Sequence, residues 1–407
     1  LHRNEIRLVS STEQSAQLLR PPHSSSALRN LDFLMTSGQP KPLPYLTADL
    51  PGIGGRLKDH PADFVVEEIP AYEPSGAGEH LYLWIEKHDL PHDVLLRRLS
   101  KTLEISPNDI GTAGIKDRRA ITRQYVSVPA RAAARVELLD SPELRVLRTG
   151  LHGNKLRTGH QRGNRFTITV REVNEDADQR AVAIADVVRK IGIPNYYGEQ
   201  RFGREGQTLS LGLDLLAGRA TPRDIPFSKR KFLLRLALSS VQSDLFNQAL
   251  AARLSDGLLQ TVLLGDVMDV IESGGKFIVD DVAREQARLD EGLLAVTGPM
   301  FGVKMLTPNG VPAEREAMIL EQSGLGSADF ANYAQLMSGA RRPYLIRPGD
   351  LVVTPVEQGI QFELSLPAGT YATVLLREFL KTDDAGDNPQ GAGRTDESVD
   401  TPSESDA

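Results

Sequence analysis

The chain has no cysteine among its 407 residues. That excludes disulfides, thiolate metal sites, iron–sulfur clusters and a cysteine nucleophile. No apolar run approaches the roughly 18 residues a membrane helix needs, and the N-terminal stretch, with Pro21-Pro22 and the Ser24–Ser26 run, lacks the apolar centre of a secretory signal. A Gly-Lys-Ser/Thr phosphate loop, a Gly-x-Ser-x-Gly elbow and a His-Glu-x-x-His pair are all missing. His88 and His92 stand four apart, but Pro91 lies between them and no third ligand is evident, so no metal is assigned. These absences predict a soluble, cytoplasmic protein without a membrane anchor.

Acidic residues outnumber basic ones, for a net charge of −7. The excess is local. Residues 381–407 hold eight acidic and two basic side chains, a net of −6, leaving −1 for the rest. From Leu144 to Arg171 there is no acidic residue and there are seven Arg or Lys. A polyanion responds to the local field rather than the total, so nucleic acid stays open as a partner.

The length suggests two or three domains. Residues 1–50 read as a mostly unstructured leader, rich in Pro and Ser, and 381–407 as a disordered acidic tail. Between them strands and helices intermix without strict βαβ repetition, which predicts an α+β fold with a mixed, largely antiparallel sheet. Strands are expected at 64–69, 80–86, 110–116, 123–128, 144–147 and 165–171, and helices at 92–103 and 176–191. After Phe202 the texture changes to one long helix or two short ones over 229–254, a strand pair around Gly274-Gly275, and helices over 283–294 and 315–323. Strand texture returns from Asp350. The layout predicts a discontinuous catalytic domain, 51–203 with 346–380, interrupted by an inserted α+β unit at 204–345.

Four segments could carry chemistry. In GTAGIKDRRAIT (111–122) small residues precede Asp117, which stands among Lys116, Arg118 and Arg119. Nearby positive charge favours an ionised carboxylate, suited to a nucleophile or electrostatic stabiliser and poor as a general acid. On spacing alone, a solvated hairpin tip is the commoner reading. In 144–171 cations alternate with Gly, Asn, His and Thr, as phosphate-backbone contact requires. Asn164 and Phe166 share a strand face there, an amide for a base edge beside a ring for stacking, although Phe166 alone reads as core. In PNYYGEQRFGREG (194–206) aromatics, Arg and Gly crowd together, with a stacking surface and a buried turn equally open. In LPAGTYATVLLRE (366–378) Tyr371 stands where a helix begins, and packing is the plainer role.

Taken together, AGIKDRRAITRQ (113–124), GNRFTITVRE (163–172), NYYGEQRFG (195–203) and LPAGTYATVLLRE, with RLKDHPADFVVEE (56–68), FNQ (246–248) and PMFG (299–302), resemble the TruD family of tRNA pseudouridine synthases. The similarity spans roughly 52–380. It implies a pseudouridine-synthase catalytic fold with a family-specific inserted domain, and isomerisation of a uridine in the tRNA D-arm, usually position 13, to pseudouridine without cofactor or metal. Residue by residue, it implies Asp117 as nucleophile, Lys58 near it as a catalytic partner, and Phe64, Asn164, Phe166 and Tyr371 around the target uridine. Arg118, Arg119, Lys155, Arg157 and Arg162 are expected on the RNA backbone. The expected partner is tRNA, with no obligate protein partner and a monomeric chain. Tyr371 departs from the usual Phe, and Pro91-His92 replace a usual Asn-Thr. Two other classes compete: a catalytically inactive structured-RNA-binding protein on the same scaffold, and an enzyme for a phosphorylated small molecule.

Overall fold

The computed structural model describes residues 42–382. The expected leader up to 41 and the tail from 383 lie outside the described residues. The first half of the described chain runs β1 (Gly54–Arg56), β2 (Phe64–Pro70), β3 (His80–His88), α1 (His92–Leu103), β4 (Gly111–Thr112), β5 (Ile121–Pro129), β6 (Leu144–His152), β7 (Gln161–Val173) and α2 (Ala177–Ile191). The second half runs β8 (Ile193–Pro194), α3 (Gln207–Leu216), α4 (Arg230–Ser255), β9 (Val267–Val270), β10 (Lys276–Ile278), α5 (Val282–Asp290), β11 (Leu294–Met300), α6 (Gly310–Gln322), α7 (Ser327–Ala331), β12 (Ala340–Pro343), β13 (Leu345–Ile346), β14 (Gly349–Val356), β15 (Gly359–Pro367) and α8 (Ala372–Leu380). The fold is α+β.

The main sheet has the order β14-β15-β7-β2-β5-β3-β6, with β1 beside β7 and β4 beside β5. β2 and β5 are parallel, while its other pairings are antiparallel. Alternation explains the faces. Phe64 and Val66 of β2, Phe166, Ile168 and Val170 of β7, and Phe362 and Leu364 of β15 are buried against Ala181, Ile184 and Val188 of α2 and Leu375 and Phe379 of α8. Further along the sheet, Leu83, Ile85, Val126 and Val128 pack on Leu95, Leu99 and Leu103 of α1, whose four-residue spacing places them on one stripe.

β8 and β13 form a two-stranded ribbon, with Ile193 opposite Ile346 and Pro194 opposite Leu345. Between them lies a second core around α4, including Val241, Leu245, Phe246 and Leu250, and a four-stranded sheet of order β10-β9-β11-β12. α4 is buried on most sides, so its apolar residues show no narrow stripe.

Three sequence expectations change. The strand expected over 110–116 pairs only at Gly111–Thr112, because the chain then leaves the ladder to bury Lys116. The helix expected over 283–294 ends at Asp290. Gly292 adopts a positive φ of 77°, and Leu294 opens a strand. Residues 42–50, assigned to the leader, dock on α8. The buried Glu378 carboxylate accepts from Leu46 N at 3.0 Å, Thr47 N at 3.1 Å and Thr47 Oγ1 at 3.0 Å. Lys381 Nζ donates to the carbonyls of Thr47 and Leu50.

Candidate active site

Asp117 sits on the loop between β4 and β5, exposed together with Arg118 and Arg119, while Lys116 and Ala120 on either side are buried. The loop is held from beneath. Lys87, at the end of β3 and fully buried, donates from Nζ to the Asp117 carbonyl at 3.0 Å and to the Leu90 carbonyl at 2.7 Å. Small residues bring the loop close to its neighbours. A Cβ on Gly111 would lie 2.2 Å from Leu156 O, and one on Gly114 2.7 Å from Gln161 Nε2.

Lys58 lies in the turn before β2 with φ at 59°. Its Nζ is 3.0 Å from Asp117 Oδ2 and 4.3 Å from the centre of the Phe64 ring. Phe64 meets Phe166 edge to face, with centroids 6.1 Å apart at 72°. The structure therefore brings together a carboxylate, an ammonium and two rings. The cation touching Asp117 is Lys58, not its chain neighbours. Arg118 leans to Asp89 at 3.6 Å, and Lys116 turns inward.

Lys116 is the centre of a buried polar cluster. Its Nζ lies 3.0 Å from Glu68 Oε2, 2.6 Å from Gln161 Oε1 and 2.8 Å from Asn164 Oδ1. Burial pushes the Glu68 carboxyl above its ordinary value, with the Lys116 ammonium and the Tyr125 N–H working against it. Asn164 is half-buried at this cluster and Phe166 is two residues further along β7. Gly163 permits the close approach of β15, since a Cβ there would lie 2.2 Å from Leu366 O.

Tyr371 stands at the N-cap of α8. It packs on the second core, edge to face with Tyr197 at 6.4 Å. The Arg342 guanidinium lies 4.2 Å over the Tyr197 ring and donates to Gly369 O at 3.1 Å, two residues before Tyr371. Burial lowers the pKa of Arg342, against the pull of Tyr197 and Tyr371. Of the Tyr- and Phe-rich segment at 194–206, Tyr196 and Phe202 are core residues, whereas Tyr197 joins the Arg342 cluster.

The sequence between residues 43–221 and 229–379 matches the family model for tRNA pseudouridine synthase D (TruD). A relative from Anaeromyxobacter dehalogenans, strain 2CP-C, bearing that name is 42% identical over 341 residues, covering 84% of this chain and 97% of the relative. One from Thermus thermophilus is 38% identical over 351 residues, covering 85% and 94%. The chain belongs to the TruD family. A crystal structure from Methanosarcina mazei whose chain carries the TruD designation superposes with a TM-score of 0.69 at 26% identity, over 83% of this chain and 96% of that one. The family is one of isomerases.

The TruD match ends short of both tails and takes in the docked segment at 43–50. The expected RNA-backbone cations divide in two. Lys155 Nζ donates to the Asn108 carbonyl. Arg119, Arg157 and Arg162 are exposed and have no ion-pair partner among the described residues. Within the same basic stretch, Arg171 is a clamp. It holds the buried Asp63 through two hydrogen bonds at 2.7 and 2.8 Å. Sequence reasoning overlooked Lys87, Glu68 and Gln161 and counted Lys116 among the cations acting on Asp117, whereas its ammonium pairs with Glu68. For two of these a signal exists. Lys87 follows Leu83 and Ile85, and Glu68 follows Phe64 and Val66, on stripes where alternation calls for apolar residues. No group of three or more metal-ligating side chains occurs among the described residues, and no helix there is long and apolar enough to cross a membrane.

Proposed function

We propose that this chain isomerises a uridine of the tRNA D-arm, position 13, to pseudouridine, with Asp117 as nucleophile. The observation that carries the reading is the exposed Asp117 carboxylate, ion-paired to Lys58 beside the Phe64–Phe166 pair, on a loop pinned by buried Lys87 and Lys116. The N1–C1′ bond breaks, the uracil turns, and C5 bonds to C1′. The proton on C5 departs and N1 gains one, so substrate and product are isomers. Asp117 meets the positive charge that develops at C1′, and Lys58 orients its carboxylate through a charge-assisted pair. Phe166 and Phe64, both buried in the sheet core as the structure stands, are the apolar backing that the detached base would meet, Tyr371 enters from the N-cap of α8, and Asn164 supplies a polar edge. The exposed arginines 118, 119, 157 and 162 contact phosphates, which offsets the few kcal/mol that unstacking the uridine costs. These steps call on protein groups alone.

In this reading 51–203 and 346–380 form the catalytic domain and 204–345 the inserted one. The β8–β13 ribbon supports it, because the chain leaves and re-enters the catalytic part at neighbouring points. The chain acts as a cytoplasmic monomer on tRNA, with no obligate protein partner. The test is pseudouridine mapping on unmodified tRNA transcripts. A mark at one D-arm uridine that disappears in Asp117→Asn, with tRNA affinity within about threefold, is expected. Retained turnover in Asp117→Asn overturns the nucleophile. Tight tRNA binding by the wild type with no pseudouridine favours the inactive RNA-binding scaffold.

A further inference from the structure

We propose that Lys116 is a positioning residue that locks the Asn164 side chain with its amide N–H outward, so that the site offers a fixed donor to a uracil carbonyl and rejects cytosine. The inference rests on the functional reading above, in which Asn164 faces the target base.

An ammonium can only donate. Lys116 Nζ donates to two acceptors, Gln161 Oε1 at 2.6 Å and Asn164 Oδ1 at 2.8 Å, and is ion-paired with Glu68 Oε2 at 3.0 Å. The Lys116 and Glu68 side chains are 3% and 0% exposed, so water does not compete for these positions. The oxygen of Asn164 must therefore face inward. Its Nδ2 then faces away and has no hydrogen-bond partner among the described residues. An amide ordinarily presents either edge to a ligand by flipping. This one does not, because flipping would set an NH2 against an ammonium deep in the protein.

The symmetry of the base gives this fixed donor its consequence. To exchange N1 for C5 at C1′, uracil turns about the axis through N3 and C6. That rotation also exchanges the C2 and C4 carbonyls. A donor aimed at one carbonyl before cleavage meets the other carbonyl after the turn, so the same hydrogen bond serves both orientations. Cytosine carries an amine at C4. In one of its two orientations that amine would face Asn164 Nδ2, donor against donor, whichever carbonyl is met first. A site that hydrogen-bonds one partner rejects the analogue lacking it because buried polar groups are left unpaired.

The test uses tRNA transcripts with a single 2-thiouridine or 4-thiouridine at the target position, sulfur being the weaker acceptor, in single-turnover reactions. Wild type is expected to react about tenfold more slowly on either thio substrate than on uridine, the worth of one hydrogen bond. In Asn164→Asp, which keeps the side-chain shape and removes the donor, the uridine rate falls and the thio penalty vanishes. Lys116→Met/Glu68→Gln removes both buried charges at once and avoids stranding either, and the penalty should shrink there as well. An undiminished thio penalty in Asn164→Asp overturns Asn164 as the donor. An undiminished penalty in the double variant overturns Lys116 as the residue that orients it. Absence of pseudouridine in wild type on plain tRNA defeats the functional reading itself, an outcome distinct from either of these.

Discussion

Fifty-nine positions separate Lys58 from Asp117, yet their charged atoms lie 3.0 Å apart. The pair is partly exposed, at 24% and 51% of side-chain surface, so solvent screening limits its contribution to stability. The pairing is geometric: one ammonium touches the Asp117 carboxylate and the Phe64 ring together. Lys58→Met keeps the stem and removes the charge. Single-turnover pseudouridine formation should slow about tenfold, the worth of a charge-assisted hydrogen bond discounted for exposure, while tRNA affinity changes less. An unchanged rate removes Lys58 from the site. Lys116 carries the same lesson with opposite sign. Adjacent to Asp117 in the chain, it is buried against Asn164 and Glu68 instead, while Asp117 is exposed.

Two strand contacts decide whether the site is assembled at all. Gly163 lets β7 and β15 meet just before Asn164. In Gly163→Ala the new methyl would sit 2.2 Å from Leu366 O, and backbone cannot yield as a flexible side chain does. Denaturant unfolding should show a loss of about 1–3 kcal/mol, with activity falling further because Asn164 moves with the strand. The second contact is the Asp63–Arg171 clamp at the entry to β2. Burial works to raise the Asp63 pKa, but Arg171 and the His60 N–H outweigh it, and the carboxyl lies below its ordinary value of 3.8. A depressed carboxylate contributes stability above its unfolded value and loses it as pH falls through the folded one. The stability gap between wild type and Asp63→Asn should therefore be full at neutral pH and close as the pH drops below about 4. A gap that persists undiminished at low pH would show that the clamp acts by shape alone.

For the molecule as a whole, the relevant charge is the set of exposed cations near the Asp117 loop. Each cation that displaces a counterion from RNA adds about 0.7–0.9 to the slope of log affinity against log salt. Arg157→Ala and Arg162→Ala should each lower that slope by about this amount, whereas Lys155→Met should lower it less, because its ammonium is already engaged by the Asn108 carbonyl. Slopes unchanged from wild type in both arginine variants would place the RNA path elsewhere.

Much of this architecture was legible in the chain by itself. Alternation of Phe166, Ile168 and Val170 on β7, and the spacing of Leu95, Leu99 and Leu103 on α1, announced their elements, because one buried face imposes a period on the sequence. The motif segments named the family and Asp117, because those side chains are spelled out consecutively. The tertiary structure decided what depends on contacts between distant positions. It turned Lys116 inward, set Lys87 under the Asp117 carbonyl, paired Arg171 with the buried Asp63, and docked residues 42–50 on Glu378 across more than 300 positions. A charged residue in a sequence states what it can donate or accept. Only the fold, by removing water from some of these groups and leaving others exposed, determines which partner it meets.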